Sequence, residues 1–391
     1  MSSILMPDSQ VPFSLATHVA GEGEAVQAVL ASGATCGGTE NTLAAQKALK
    51  VLTGSPKVLL TSSGTAALEM ACLLLELKRG DEVILPSFTF SSCANSIALR
   101  GAIPVFVDIR EDTLNIDEQA ITQAITSATK AVMPVHYSGV AAEMNSVMSI
   151  AQKNGLTVIE DAAQGIGASY KGQALGAIGD LGAISFHGTK NISCGEGGAL
   201  LINDEKYFER AEVLWEKGTN RRKFMEGLTD KYTWVDIGSS FLPSEITAAL
   251  LRVQLENVKQ ITRKRLEVWN RYHIALHELE EEGVLRRPVV PGGCEGNGHI
   301  YGVIMNSPDL RDRALKQLRI DGVTATFHYV PLHSSPAGRK LGRAAGTMEV
   351  TDTMASRLLR LPLFSSITPE QQDRVIERLT NFCRSQVGHS S

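Results

Sequence analysis

Cysteine is sparse in this sequence, and none of it is arranged for a metal or a bridge. Six thiols, Cys36, Cys72, Cys93, Cys194, Cys294 and Cys383, are scattered with no C-x-x-C pair. They read as reduced, mostly buried side chains rather than zinc ligands or a disulfide framework. Basic excess is lacking too: the formal net charge is −4, which leaves no electrostatic footprint for nucleic acid. No apolar run approaches the ~20 residues that cross a bilayer. The opening MSSILMPDSQ has neither the charged start nor the apolar stretch of a secretory leader. No internal repeat, low-complexity tract or long linker is visible. The expectation is a cytoplasmic protein that needs no membrane, metal or nucleic acid.

What is present is an ordinary globular composition, 43% apolar and 20% charged over 391 residues. That length suggests two domains, or one large domain with an appendage. From about Val58 to Asp204, short β-rich runs alternate with helical patterns. Strands are expected at Lys57-VLLTS, Asp81-EVILPS, Ile103-PVFVDI, Lys130-AVMPVHY, Leu156-TVIED, Leu181-GAISFH and Gly198-ALLIN. Helices are expected at Thr65–Lys78, Asp117–Ile125 and Met144–Asn154. Continuous apolar strands alternating with helices imply an α/β fold with a mostly parallel sheet covered on both faces. A long periodic helix, broken at most once, should begin near Pro243 and run towards Glu282. A smaller α+β unit follows, with strands at His299-IYGVIM, Thr324-ATFHYV and Leu358-LRLPLF and a helix over Leu310–Ile320. The last helix opens on Thr368-Pro-Glu-Gln371, a capping box with proline at N1, and its tail past Cys383 is expected to fray. The division is placed at 1–250 for the large domain and 251–391 for the small one.

Four stretches carry chemistry. Ser62-Ser63-Gly64-Thr65 joins a strand to a strongly apolar helix, whose amides and positive dipole end suit a phosphate; a plain strand–helix turn reads the same way. Glu160 and Asp161 end a buried-looking strand, at the edge where α/β sheets hold ligands. A carboxylate there can keep a heterocyclic nitrogen protonated, or can simply cap a helix. The neighbouring Gly165-Ile-Gly167 is not a dinucleotide fingerprint: Tyr170 occupies the third glycine position, and the acid precedes the glycines. Lys190 lies in a glycine-rich turn between two apolar strands. If pocketed, its amine loses its charge and becomes a nucleophile; if not, it snorkels to the surface. Phe88, after the strand ending at Pro86, is placed to stack on a flat ring or to fill the core. In this order a phosphate turn, an aromatic, an aspartate and a lysine meet the needs of pyridoxal 5′-phosphate.

These stretches resemble the DegT/DnrJ-type sugar-nucleotide aminotransferases, a branch of the fold-type I pyridoxal-phosphate enzymes. The resemblance covers nearly the whole chain: TSSGTAALEM, GDEVILPSFTF, MPVHYSG, VIEDAAQ, SFHGTKN with GEGG, GTNRR, DKYTWVDIGSSF, and FHYVPLH with LPLF. It implies that Lys190 forms the Schiff base and shuttles the proton, Asp161 faces the pyridine nitrogen, Gln164 the ring hydroxyl, and Phe88 the ring face. It implies that Gly64, Thr65 and Ser185 hold the phosphate, and that Asn220 is contributed by the other subunit of a homodimer with shared active sites. Lys231, Tyr232 and His328 would lie on the substrate side; His136 and His187 would be structural or support the site. The basic run Arg221-Arg222-Lys223 would greet a nucleotide diphosphate or form a solvated loop cluster. SFHGTKN resembles the carbon-4 group, and the lysine sets the chain apart from a dehydratase branch that carries histidine instead. The loop from Lys190 to Glu196 is one residue shorter than the resemblance leads one to expect, which bears on sugar fit.

The implied reaction moves an amino group, with glutamate as donor, to carbon 4 of a dTDP-linked 4-keto-6-deoxy hexose of galactose type, for a surface polysaccharide such as lipopolysaccharide. Amination of another carbon or nucleotide sugar, or a non-catalytic sugar-nucleotide sensor, are the alternatives.

Overall fold

The computed structural model describes residues 10–387; nine of the ten residues read for a leader lie outside the described residues, as does the tail beyond Val387. The strands are β1 Lys57–Thr61, β2 Glu82–Pro86, β3 Ile103–Val107, β4 Thr129–Val132, β5 Thr157–Asp161, β6 Ser169–Tyr170, β7 Gln173–Ala174, β8 Leu181–Ser185 and β9 Gly198–Ile202. After them come β10 Leu285–Arg286, β11 Cys294–Glu295, β12 Tyr301–Met305, β13 Arg343–Ala344 and β14 Leu358–Leu361. An eight-stranded sheet runs in the order β1-β9-β8-β5-β4-β2-β3-β13. All neighbours are parallel except around β9, which is antiparallel to both β1 and β8. The seven strands expected between Val58 and Asp204 are all in it.

Burial on both faces explains the continuous apolar runs. Successive side chains of a strand point to opposite faces. Val58, Leu60, Ile84, Val158 and Ile184 therefore join one cluster, with the helices Glu40–Thr53, Met144–Asn154 and Glu245–Glu256. Leu59, Val83, Leu85, Ile159 and Ala183 join the other, with Gly64–Leu74, Ser91–Ala98 and Phe208–Trp215. Because β1 and β8 are both antiparallel to β9, they run the same way as each other and as β5, β4 and β2. The turns after β1, β2, β5 and β8 therefore gather at one edge of the sheet, where the chemistry-bearing stretches sit.

The smaller unit packs the helices Val258–Ala275, Pro308–Ile320 and Pro369–Val387 against the antiparallel sheet β10-β12-β14. The expected division at 250/251 falls inside Glu245–Glu256, whose Ala248, Leu251 and Leu255 stay with the large sheet. Membership changes along the next helix, between Ile261 and Val268. Val11 packs with the small unit and bridges Val323.

Two expectations need correction. The long helix is three helices, Glu245–Glu256, Val258–Ala275 and His277–Glu281. The strand at Thr324-ATFHYV is a loop whose one strand-like pairing among the described residues is the isolated bridge Thr326–Arg360; four of its residues in succession, Thr326 to Tyr329, line a cavity. The capping box is present: the Thr368 amide donates to Gln371 Oε1 at 3.0 Å, and the Gln371 amide to Thr368 Oγ1 at 3.2 Å. Past Cys383 the helix continues to Val387.

Candidate active site

A cavity of about 780 Å³ lies between the large sheet's edge and the small unit, and Gly64, Thr65, Asp161, Gln164, Ser185, Lys190 and His328 all line it. Its floor is the start of the 11-residue helix Gly64–Leu74. Ser63 caps that helix by accepting from the Ala66 amide at 3.0 Å. Thr65 shares a hydrogen bond with Ser92 at 2.7 Å. A Cβ on Gly64 would lie 2.8 Å from Ser185 Cβ, so only glycine lets the helix start and the end of β8 close on each other. An anion held there meets helix amides, the positive dipole end and two hydroxyls.

Asp161 and Glu160 sit side by side on β5 and face opposite ways. Glu160 is fully buried, bound to His136 Nε2 at 2.7 Å and to the amides of Gly176, Ile178 and Gly179. That cage fixes the loop before β8, so His136 and Glu160 are structural. Asp161 turns to the cavity: Oδ1 accepts from the Ala163 amide at 2.9 Å and Oδ2 from the Cys93 thiol at 2.8 Å. Burial, reinforced by the Asp161 charge, pushes the Cys93 thiol well up, so the sulfur stays protonated and donates. Nothing in the sequence pattern marked Cys93 as a partner of the aspartate.

Lys190 is half-buried and lines the cavity. Desolvation lowers its ammonium pKa, Arg360 adds to the lowering, and the Asp161 charge opposes it. A less basic amine is a better nucleophile and proton carrier. His187 lines the same wall, bonded to Thr189 and 3.5 Å from Glu196.

The small-unit wall carries an aromatic cluster. His328 stacks on Tyr329 with centroids 3.7 Å apart and shares a 2.7 Å hydrogen bond with Tyr137 Oη. Burial, then the charges of Arg360 and Lys190, bring its pKa to about 2, so the imidazole is neutral. Gln164 accepts from the Ser138 amide and donates to Tyr329 Oη, which fixes its side chain at the cavity's edge. Phe88 is a correction. It is 1% exposed and packs against Tyr137, Tyr329 and His328, behind the cavity. Phe90, two residues on, lines the cavity instead. Both aromatics follow β2, and only the packed tyrosines decide which faces inward. Sequence reasoning also missed Phe13, His299 and Arg360, all on the wall. Their signal is spatial, because they arrive from remote segments.

Asn220, Lys231 and Tyr232 do not line this cavity. Asn220 ties its own loop, accepting from the Thr233 amide at 2.8 Å and donating to the Lys231 carbonyl at 3.0 Å. The basic run is committed locally: Arg221 pairs with Glu216, Arg222 with Glu212 and Glu226, and Lys223 with Glu209. A solvated cluster is the reading these pairs fit. Among the described residues, no group of His, Cys, Asp and Glu is placed to hold a metal ion, and no helix is long and apolar enough to cross a membrane.

Comparison with known proteins matches residues 18–380 to the DegT/DnrJ/EryC1/StrS aminotransferase family. A curated relative, the pleiotropic regulatory protein of Geobacillus stearothermophilus, is 35% identical over 325 residues, 82% of this chain and 84% of its own length. The aminotransferase TlmJ from Streptoalloteichus hindustanus superposes with a TM-score of 0.88 at 29% identity, covering 96% of this chain and all of that one. NtdA from Bacillus subtilis, solved with bound cofactor PMP, gives a TM-score of 0.86 at 29% identity, covering 97% and 86%.

Proposed function

The chain belongs to the DegT/DnrJ/EryC1/StrS aminotransferase family, and from that premise we propose that it moves an amino group from glutamate to carbon 4 of a dTDP-linked 4-keto-6-deoxy hexose, giving a dTDP-4-amino-4,6-dideoxy sugar of galactose type. It is a pyridoxal-phosphate-dependent sugar aminotransferase; the donor, nucleotide, carbon and epimer are the finer reading, and they rest on SFHGTKN and the other motifs of the sequence. Within the family those motifs most resemble a dTDP-4-amino-4,6-dideoxygalactose transaminase.

The observation that carries the reading is one cavity holding a desolvated lysine, a carboxylate and a helix start. The residues fit the cofactor. Ser63–Thr65 and Ser185 would hold its phosphate, where a Cβ on Gly64 would fill the cradle. Asp161 would face its ring nitrogen, Phe90 its ring, and Lys190 would hold it covalently. When bound, the cofactor supplies a carbonyl carbon to carry nitrogen and an electron sink for the neighbouring bond.

The chain's own residues do the rest. Lys190, kept less basic by its surroundings, takes and returns the proton at the donor's and the sugar's carbon as general base and acid. Asp161 is held in place by the Cys93 thiol and the Ala163 amide. The small-unit wall of His328, Tyr329 and Phe13 screens the carbon being aminated from water. Donor and sugar use the same cavity in turn, so kinetics should be ping-pong.

A homodimer with shared sites belongs to the same proposal, as do a cytoplasmic location and a role in surface polysaccharide or lipopolysaccharide synthesis. Support for the dimer is the apolar surface around Phe224, Met225, Leu228, Trp234 and Val235, on the short helix Arg221–Met225 and the segment after it that carries Lys231 and Tyr232. The regulatory name of the Geobacillus relative is the one observation favouring a sensor; intact Lys190 and Asp161 favour turnover.

The test uses the purified protein loaded with cofactor. Its visible absorption band should vanish in Lys190→Ala, with activity down by about 10²–10⁴-fold, and survive in Lys259→Ala. A protein that cannot take up pyridoxal phosphate overturns the reading. Incubation with dTDP-4-keto-6-deoxyglucose and glutamate, with NMR of the product, tests carbon and epimer.

A further inference from the structure

His299 lines the cavity, and the amides around it settle which of its ring nitrogens carries the proton. Asn191, the residue after Lys190, is 1% exposed and donates through Nδ2 to the Asn297 carbonyl at 3.0 Å. A carbonyl only accepts, so that contact orients the Asn191 amide with its oxygen towards His299. The oxygen lies 2.8 Å from His299 Nδ1, and Nδ1 therefore carries the hydrogen. Burial, then the charges of Lys190, Arg265 and Arg360, hold the imidazole well below its usual pKa, so the ring is neutral. Nε2 is then a bare acceptor, and it makes no hydrogen bond among the described residues.

The ring is fixed from behind. Asn297, fully buried, donates to the carbonyls of Gln164 and Ile166 at 2.7 and 2.9 Å, and its Oδ1 accepts from the His299 amide at 3.1 Å. Gly298 between them has a φ of +63°, and a Cβ there would lie 2.9 Å from the Arg265 carbonyl carbon, so the turn requires glycine. Arg265 then donates to the carbonyls of Gly298 and His299. These bonds tie the Lys190 turn, the Gln164 loop and the approach to β12 into one unit. The contrast with His136 is direct. Both nitrogens of that ring are used, Nε2 at Glu160 and Nδ1 at the Ala142 amide, whereas His299 keeps one acceptor for whatever enters the cavity.

We propose that His299 Nε2 accepts a hydrogen bond from the sugar hydroxyl on the carbon next to the one being aminated, and so makes that hydroxyl a feature the site selects. The inference rests on the sugar aminotransferase reading above and names a part of its substrate. An uncharged lone pair selects donors. The amino acid brings carboxylates, which only accept, and its nitrogen is committed to the exchange itself. The sugar brings O–H donors. In a 4-keto-6-deoxy hexose, one neighbour of the keto carbon bears a hydroxyl, at carbon 3, and the other bears the ring oxygen and the methyl group. The adjacent donor is therefore the carbon-3 hydroxyl. His299 is close enough to Lys190 for that charge to act on its ring and is bonded to the residue that follows the lysine. That places the imidazole near the reacting carbon, not at the nucleotide end of the substrate.

The test is calorimetric titration of the cofactor-loaded protein with two sugars that lack the keto group and cannot react, dTDP-6-deoxyglucose and dTDP-3,6-dideoxyglucose. Wild type should bind the first roughly 3- to 10-fold more tightly. His299→Leu should bind the two alike. His299→Gln, whose amide oxygen accepts and whose amide nitrogen serves Asn191 Oδ1, should keep part of the preference. Thermal melts establish that the variants fold, and the wild-type comparison stands without either of them. Equal affinity of wild type for the two sugars overturns the proposal, and so does a preference that survives in His299→Leu. A wild-type protein that binds neither sugar overturns the sugar-nucleotide reading and this proposal with it, whereas one that binds both alike overturns this proposal alone.

Discussion

At the scale of single residues, the site is a set of side chains whose charges depend on burial. Lys190 loses basicity, His328 is held neutral, and Cys93 keeps its proton. His328 has a measurable consequence. Its pKa is about 2 in the fold, against about 6.5 in an unfolded chain. Below about pH 6.5 the unfolded chain binds a proton that the native one refuses, so this contribution to stability is full above that pH and is lost as pH falls. Melting temperatures of wild type and His328→Asn, compared between pH 7 and 4, should converge or cross as the pH drops; parallel curves would refute the neutral imidazole. The lysine and aspartate were legible in the sequence because their types and order fit one chemistry. The choice of Phe90 over Phe88 was not, because two aromatics two residues apart after a strand look alike until Tyr137 and Tyr329 pack on one of them.

Elements bring those residues to their stations. The helix Gly64–Leu74 starts where β8 ends, with Gly64 set against Ser185. Gly64→Ala would force its methyl into Ser185, 2.8 Å away, and push the helix start off the phosphate position. The expected result is at least 10-fold weaker uptake of pyridoxal phosphate, read by absorbance titration, with little change in far-ultraviolet circular dichroism. At the other end of the chain, Thr368 caps the last helix and Gln371 answers it. Thr368→Ala should lower stability by about 1 kcal/mol in denaturant melts and leave activity alone. Helix starts of this kind are local chemistry, which is why the sequence revealed both. The loop 324–330 misled because its apolar and polar residues alternate as in a strand, whereas the structure turns consecutive residues, Thr326 to Tyr329, to the cavity.

For the whole molecule, the cavity exists only where two units meet, and the proposed second subunit would complete it. Trp234 is 75% exposed beside other apolar side chains, a patch of the kind that marks association. Trp234→Asp should shift the protein from dimer to monomer in sedimentation and lower activity in parallel; an unchanged dimer would remove that face from the proposal. The sequence alone determined the alternation of strands and helices, the parallel sheet and the edge that carries Gly64, Asp161 and Lys190. Those features follow from side-chain periodicity and from turns next to each strand, both of which act over a few residues. Tertiary structure alone decided that Cys93 holds Asp161, that Phe90 faces the cavity, and that Arg360 arrives opposite Lys190 from a strand 170 positions later. A periodic pattern states which face of an element is buried, but what lies against that face depends on segments far away in the chain.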